Sequence, residues 1–294
     1  LSAINNNYLF LNNGITIPLA SIVSFFYLYF LFDAWKILND NNYIEINKIF
    51  SLFILIYIAL KITRYSSFGN DAAAHLSFFY LISCVLKNEL NKININKTLL
   101  ISIFIFMNKP TLGIVFLIPA TIFLIQNNLK LNKVFNQIFS LPFLFLIFWL
   151  IKNLVTSGCI IYPIKASCIE KLAWTNIEQI KNVQIESQAW SKGWPDRIDK
   201  KISMEEFNQN FSWIKAWQQK HMKYIIKILF PYILILLVIF IFIKIRLKNK
   251  IPVNKDKDLS SRLWLSIVVC LIGIFSFFLI FPIYRYGYSY IITF

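Results

Sequence analysis

The stretch that decides the topology of this chain is "TLLISIFIFMNKPTLGIVFLIPATIF", residues Thr98–Phe123. It is long enough to cross a membrane, since about 20 apolar residues span the hydrocarbon layer, but Asn108, Lys109 and Pro110 interrupt its middle. Proline removes a backbone donor and clashes with the preceding turn, so an unbroken helix is not expected. The stretch 98–125 predicts either one kinked crossing or two half-length helices joined by a turn at the lysine.

The composition of the whole chain is that of a membrane protein. Of 294 residues, 57% are hydrophobic and only 15% are charged, and the mean hydropathy is +0.60. So little charge cannot cover a soluble domain, and we therefore expect an all-α, polytopic transmembrane helical bundle. Besides the broken stretch, we predict membrane spans at 15–34, 49–63, 72–87, 135–151, 223–245 and 262–283.

The formal net charge of +16 indicates orientation in a membrane rather than a nucleic-acid partner, because the lysines and arginines lie in short loops between apolar runs. The loop from Lys244 to Arg262 carries seven basic residues against two acids, so we place it in the cytoplasm. The segment 152–222 then lies outside. If 98–125 is a re-entrant pair, the other short basic loops also lie inside and Asp71 lies outside, so we favour the pair over a single crossing.

The predicted organisation has three parts: N-terminal transmembrane helices (1–151), an extracytoplasmic subdomain of amphipathic helices (152–222) and C-terminal transmembrane helices (223–294). The chain starts at Leu1, has no methionine before Met107 and stops within an apolar run, so we expect a fragment of a longer protein. We expect the bacterial inner membrane as its location.

The segment 152–222 contains two amphipathic patterns. A capping box of Ser203 and Glu206 predicts the start of one helix, with apolar positions at helical spacing after it. These positions are Phe207, Phe211, Ile214, Trp217 and His221 in one helix and Ile177, Ile180, Val183 and Trp190 in the other. Tryptophans here suit either helices on the membrane surface or a lid on which Trp190 and Trp194 stack against a sugar or a lipid carrier.

Asp71 and His75 stand at the start of an apolar run, in "RYSSFGNDAAAHLSFFYLIS" (Arg64–Ser83). Four residues apart, they share one helix face. Asp71 is then either a helix cap or, because charge at a membrane boundary is costly and tends to be functional, a general base or a metal ligand. The sequence contains no cluster of His and Cys residues, so we predict no structural zinc site. Any cofactor is therefore unknown, and a divalent cation at Asp71 is left open.

Several polar residues beside apolar runs form a candidate set for binding an anion: Arg64, Lys109, Lys152 and Asn153. The alternative for each lysine is snorkelling to the membrane surface. Cations close to one acid are the pattern expected where a phosphate leaving group is stabilised. Cys159 and Cys168, separated by eight residues in the outer segment, predict a disulfide if that compartment is oxidising.

Five stretches resemble the multi-spanning membrane glycosyltransferases of the GT-C type, over roughly residues 64–222. They are "WLIKNLVTSGCIIYP" (Trp149–Pro163), "GNDAAAHLSFFYL", "NKPT", "ESQAWSKGWP" and "FNQNFSWIKAWQQKH". The resemblance implies transfer of a sugar, with inversion, from a polyprenyl-phosphate-linked donor on the outer face of the membrane. It also implies that Asp71 is the base and that Lys109, Lys152 and Arg64 contact the carrier phosphate. The chain departs from the family pattern of two acids, because Asn70 precedes Asp71.

Two other hypotheses remain open. A transporter or flippase of lipid-linked glycans also needs broken helices and intramembrane cations, although we find no internal repeat that would favour it. A polymerase or ligase of such glycans is the other. No Walker loop, GxGxxG motif or nucleophile elbow occurs in the sequence, so use of a cytoplasmic nucleotide has no support.

Overall fold

The prediction of an all-α fold is confirmed for the part of the chain that the structure describes. The computed structural model describes residues 16–39, 45–65, 71–127, 140–209, 211–246 and 258–294. These residues form helices, turns and one isolated antiparallel bridge between Cys159 and Cys168, and they contain no β-strand.

The α-helices of these residues are α1 (Thr16–Asn39), α2 (Ile46–Tyr65), α3 (Asp71–Lys87), α4 (Ile95–Asn108), α5 (Leu117–Asn127), α6 (Leu141–Ser157), α7 (Ile177–Ser191), α8 (Met204–Gln209), α9 (Trp213–Trp217), α10 (Lys223–Arg246), α11 (Leu259–Ile280) and α12 (Tyr284–Thr293). The 3₁₀ segments are Leu90–Lys92, Pro110–Phe116, Lys165–Ser167 and Trp194–Asp196. A π-helical turn, Gln218–Met222, joins α9 to α10.

Three helical segments among the described residues are long and apolar enough to cross a membrane: Ala20–Ile37, Trp213–Ile241 and Leu259–Ile280. They overlap the predicted spans 15–34, 223–245 and 262–283. The predicted spans 49–63 and 72–87 fall in α2, which carries Lys48 and Lys61, and in α3, which has 17 residues. The predicted span 135–151 overlaps the shorter apolar helix α6, and its residues 135–139 lie outside the described part.

The chain divides into two compact units. The first comprises α1–α5 together with Lys227–Gly273 and Tyr288–Phe294. The second comprises α6–α9, the chain onward to Ile226, and Ile274–Gly287.

Helix α3 forms the core of the first unit. Of its 17 residues, 14 are buried, because α1, α2 and α4 pack around it. Edge-to-face aromatic contacts join α3 to α2 and to α12: the rings of Tyr57 and Phe79 lie 5.6 Å apart, and those of Phe78 and Tyr290 lie 5.3 Å apart. The apolar residues on every side of α3 thus contact protein, as is typical of a fully enclosed helix.

Helices α4 and α5 form a hairpin whose tip carries Lys109. The Gln126 side chain at the end of α5 donates to the carbonyls of Leu90 and Ile93, at 2.7 and 2.9 Å, and both residues precede the start of α4. The chain therefore returns to the level from which α4 began. With 14 residues, α4 is about 21 Å long, shorter than the roughly 30 Å of a bilayer core.

The first described helix of the second unit is α6, which is capped at its C-terminus by Gly158 in the left-handed conformation. A loop of residues 158–176 then leads to α7, whose first turn is capped by Asn176, since its Oδ1 accepts from the Gln179 N–H at 3.0 Å. The predicted capping box starts α8: the Ser203 N–H and hydroxyl both donate to the Glu206 carboxylate, and the Glu206 N–H donates to the Ser203 Oγ.

The prediction of one continuous amphipathic helix after Ser203 is wrong. Helix α8 ends at Gln209, and Phe211 has a φ of 52°, in the left-handed region that interrupts a helix. The register changes there, so Phe211 is exposed whereas Trp213 is 1% exposed. The predicted apolar face of α7 is also incomplete, because Ile180 is buried while Trp190 is exposed.

Candidate functional site

The start of α3 places Asp71 and His75 on one face of a buried helix. Asp71 is the first residue of α3, in the first turn, where a carboxylate complements the positive end of the helix. His75 lies one turn later and is 1% exposed. Small alanines fill the positions between them, at 72 to 74, and leave room for other helices to approach.

The break after α4 aims Lys109 at this face. Pro110 disfavours the helical conformation for the residue before it, and Lys109 accordingly has φ −150° and ψ 90°. Its own N–H still donates to the carbonyl of Ile105 at 2.8 Å, so the last turn of α4 stays closed. The backbone leaves the helix at Lys109, and its side chain reaches α3.

The Lys109 ammonium joins the two α3 side chains in one cluster. Its Nζ donates to Asp71 Oδ1 at 2.6 Å and lies 3.4 Å from His75 Nε2. An ammonium has only donors, so the second contact is a hydrogen bond in the histidine tautomer that carries its proton on Nδ1. The Lys109 side chain is 6% exposed and that of Asp71 is 16% exposed.

This cluster combines a proton acceptor with a positive charge. A carboxylate can take a proton from a hydroxyl group, and an ammonium can stabilise a developing negative charge. The Lys109 ammonium contacts the Asp71 carboxylate directly, so in this structure its charge is paired with that of Asp71. A phosphate oxygen that binds here would accept a hydrogen bond from the Lys109 ammonium. It would do so either alongside Asp71 and His75 or in place of one of them.

The other predicted binding residue of the first unit is Arg64. It lies in the last turn of α2, and its side chain lies outside the described part of the structure.

The remaining predicted binding residues belong to the second unit. Lys152 is exposed on α6, and the half-buried Asn153 beside it donates from Nδ2 to the carbonyl of Ile160 at 3.2 Å. Trp190 is half exposed, with the Lys220 Nζ 5.7 Å from its ring centre. Trp194 is covered, because the Arg197 guanidinium lies 3.8 Å from its ring centre and Phe207 packs edge-on at 5.3 Å. Stacking on a sugar is therefore easier for Trp190 than for Trp194.

Cys159 and Cys168 form a disulfide that closes the loop after α6. Two backbone hydrogen bonds run alongside it, from the Ile160 N–H to the Ser167 carbonyl and from the Ile169 N–H to the Gly158 carbonyl, both at 2.9 Å. The other two cysteines, Cys84 and Cys270, are buried free thiols.

Lys61 and Asp33 are buried charges of the first unit that were not among the residues predicted from the sequence. The Lys61 Nζ lies 4.3 Å from the ring centre of Tyr288, and Asp33 forms ion pairs with Lys36 at 3.2 Å and Lys87 at 3.7 Å. Each interrupts an apolar run, and that interruption is the signal that could have identified them. In the described ranges, no three His, Cys, Asp or Glu side chains come together as a metal site.

A family model described as a domain of unknown function (DUF8201) matches residues 7–292 of the chain. No curated protein and no solved structure matches it.

Proposed function

This chain belongs to the DUF8201 family, and we propose that it is an integral membrane glycosyltransferase. The proposed reaction transfers a sugar from a polyprenyl-phosphate carrier to an acceptor hydroxyl on the outer face of a bacterial inner membrane. The observation that carries the proposal is the cluster that Lys109, at the tip of the α4–α5 hairpin, forms with Asp71 and His75 at the start of α3.

The proposed topology follows from charge and length. The helices form a polytopic bundle, the basic loop between α10 and α11 is cytoplasmic, and residues 152–222 form an extracytoplasmic subdomain. The α4–α5 hairpin enters the membrane and returns to the cytoplasmic side, which is consistent with α4 being too short to cross. The tip of the hairpin then faces the outer half of the membrane together with the start of α3.

The proposed chemistry is a direct displacement at the anomeric carbon. Asp71 accepts the proton of the acceptor hydroxyl, the acceptor oxygen bonds to the anomeric carbon, and the bond from that carbon to the phosphate oxygen breaks. The leaving polyprenyl phosphate keeps the electron pair, and Lys109 stabilises its charge. His75 is the second partner that holds the Lys109 ammonium in place. Asp71 is thus the proton acceptor, and Lys109 is the anion-binding group.

The cluster also has the features of a carrier site in a transporter, since a charged residue at a helix break often marks such a site. The two functions differ in their product. A flippase moves the lipid-linked sugar across the membrane unchanged, whereas a transferase forms a new glycosidic bond and releases polyprenyl phosphate.

The test uses the full-length protein in nanodiscs supplied with a polyprenyl-phosphate hexose carrying a radiolabelled sugar and with soluble oligosaccharides as acceptors. We expect label to appear in a non-lipid product, and we expect Asp71→Asn to lower this transfer by at least about 100-fold, the smaller contribution typical of a general base. Glu89→Gln is the matched control, because Glu89 forms an exposed ion pair with Lys92 in the same unit and its loss should leave transfer unchanged.

Native mass spectrometry of the same samples separates binding from chemistry. A bound polyprenyl phosphate that is kept in Asp71→Asn and lost in Lys109→Met supports the assigned roles. Transfer that survives Asp71→Asn would move the proton acceptor to another residue. In sealed vesicles that contain the protein, movement of the labelled lipid between leaflets without a new glycosidic bond would replace the transferase with a flippase.

A further inference from the structure

The second unit contains an open cavity bounded by the disulfide loop, α7 and α8. Its volume is about 720 Å³, within the range of about 300–1,000 Å³ typical of small-molecule sites. The loop contributes Ile164 and Lys165, and the two helices contribute a set of side-chain amides. These amides are Gln184, Gln188, Asn208 and Gln209.

The walls of this cavity are tied together by hydrogen bonds. The Lys165 N–H donates to Gln184 Oε1 at 2.9 Å, which joins the disulfide loop to α7. Asn208 Nδ2 donates to the carbonyl of Ile185 at 3.0 Å, and the Lys192 ammonium donates to the Asn208 carbonyl at 2.7 Å. Both contacts hold α8 against α7. The cavity is therefore formed before any ligand arrives, which lowers the entropy cost of binding.

The charges around the cavity balance. Lys165 and Lys181 oppose Glu170 and Glu205, and Lys181 pairs with Glu205 at 2.8 Å. Although the net charge of the chain is +16, the residues that line this cavity carry no excess charge of either sign. An anionic ligand would meet two carboxylates and a cationic ligand two ammonium groups, so the charge pattern favours a neutral ligand.

The four amides fit a ligand that both donates and accepts hydrogen bonds. Each amide side chain carries an acceptor oxygen and a donor nitrogen, and a hydroxyl group combines the same two abilities. Asn208 has the smallest share in this, because its Nδ2 already donates to the Ile185 carbonyl and its Oδ1 is buried away from the cavity surface. Ile164 and Ile185 add apolar surface that can contact C–H groups.

From these features we infer that the cavity binds a neutral oligosaccharide through its hydroxyl groups. Binding itself does not depend on the proposed transferase activity. Only the identity of the ligand as the acceptor glycan rests on that function: the cavity would then hold the acceptor chain at the outer subdomain during transfer.

The experiment measures saturation-transfer difference NMR of full-length protein in nanodiscs, without sugar-headed detergents that would compete for the cavity. Four soluble probes are used: maltotriose, cellotriose, mannotriose and chitotriose. We expect at least one to receive saturation from the protein. The double variant Gln188→Leu/Gln209→Leu should weaken its binding by about tenfold, because two hydrogen-bonding amides are lost.

The matched control is Gln179→Leu, which makes the same change on an exposed position of α7 outside the cavity. Binding equal in Gln179→Leu and wild type, and weaker in the double variant, supports the site. No binding of any probe, or equal binding in the double variant, would overturn it. Asp71→Asn separates the two proposals: probe binding that persists in this variant while transfer is lost supports both, and binding without any transfer in the wild type keeps the cavity and removes the transferase.

Discussion

Two ion pairs of nearly equal length lie in different surroundings in this protein. Lys109 and Asp71 are 2.6 Å apart with side chains 6% and 16% exposed, whereas Lys181 and Glu205 are 2.8 Å apart with both side chains 52% exposed. In the first pair, water has little access to replace a missing partner, while in the second it has ample access. Burial, not distance, therefore decides how much each pair matters for stability.

A third lysine, Lys192, shows what burial does when the hydrogen-bond partner is a neutral group. Lys192 is as buried as Lys109, but its ammonium donates to the Asn208 carbonyl and lies 5.3 Å from the ring centre of Trp213. Burial lowers the pKa of Lys192, because the charged form loses its hydration. Burial thus disfavours the charge of Lys192, and its partners named above are neutral groups. The charge of Lys109, by contrast, faces a carboxylate.

The largest effect is expected from Lys109→Met, which leaves the Asp71 carboxylate without its ammonium partner. We expect a loss of about 3 kcal/mol in the free energy of unfolding, at the lower end for a broken buried pair because Asp71 keeps some access to water. The measurement is the thermal unfolding midpoint in nanodiscs. The double variant Lys109→Met/Asp71→Asn should recover much of the loss, since no unpaired charge remains. Strictly additive losses would show that the two side chains do not interact.

An intermediate effect, visible in its pH dependence, is expected at Lys192. Its pKa in the folded protein lies below the ordinary value of 10.5, so between these two values the unfolded chain binds more protons than the folded one. The free energy of unfolding then rises with pH in this window. We expect the wild type to gain stability relative to Lys192→Met as the pH rises from the lowered pKa toward 10.5.

The measurement is the unfolding midpoint of the second unit, followed by tryptophan fluorescence at several pH values. Lys171→Met is the control for this series, because Lys171 is an exposed lysine of the same unit, and its pH profile should run parallel to that of the wild type. A Lys192→Met profile that also runs parallel would mean that Lys192 has the same protonation in both states.

The smallest effect is expected from Glu205→Gln, which breaks the exposed pair with Lys181. Both side chains are half exposed, so water and salt replace each as a partner. We expect the unfolding midpoint to stay within experimental error of the wild type, at low and at high salt. A loss comparable to that of Lys109→Met would contradict the comparison and give this exposed pair a structural role.

The sequence predicted the features that depend on neighbouring residues. Pro110 disfavours the helical conformation at Lys109, and α4 ends there. Ser203 and Glu206 form the capping box that their spacing predicts. The start of α3 at Asp71 agrees with the shared face expected for Asp71 and His75. Each of these rules acts within about one helical turn, and a sequence contains all that such a rule needs.

The sequence did not predict features that depend on what packs from elsewhere. An apolar helix has the same pattern whether lipid or protein surrounds it, so the sequence did not predict that other helices enclose α3. Trp194 looked available for stacking, but Arg197 and Phe207 cover its ring. The positive φ at Phe211 changed the register of an otherwise regular apolar pattern. The residues next to it include no glycine or proline that would have predicted this change.

The sequence by itself determined the helical class, the membrane character and the break at Lys109, because composition and local backbone sterics fix these properties. Only the tertiary structure decided that Lys109 meets Asp71, 38 residues away, and that a cavity lined with amides forms between α7, α8 and the disulfide loop. This contact and this cavity follow from how whole helices bury their surfaces against one another. That outcome depends on the complete set of neighbours, whereas each local rule depends on a few residues.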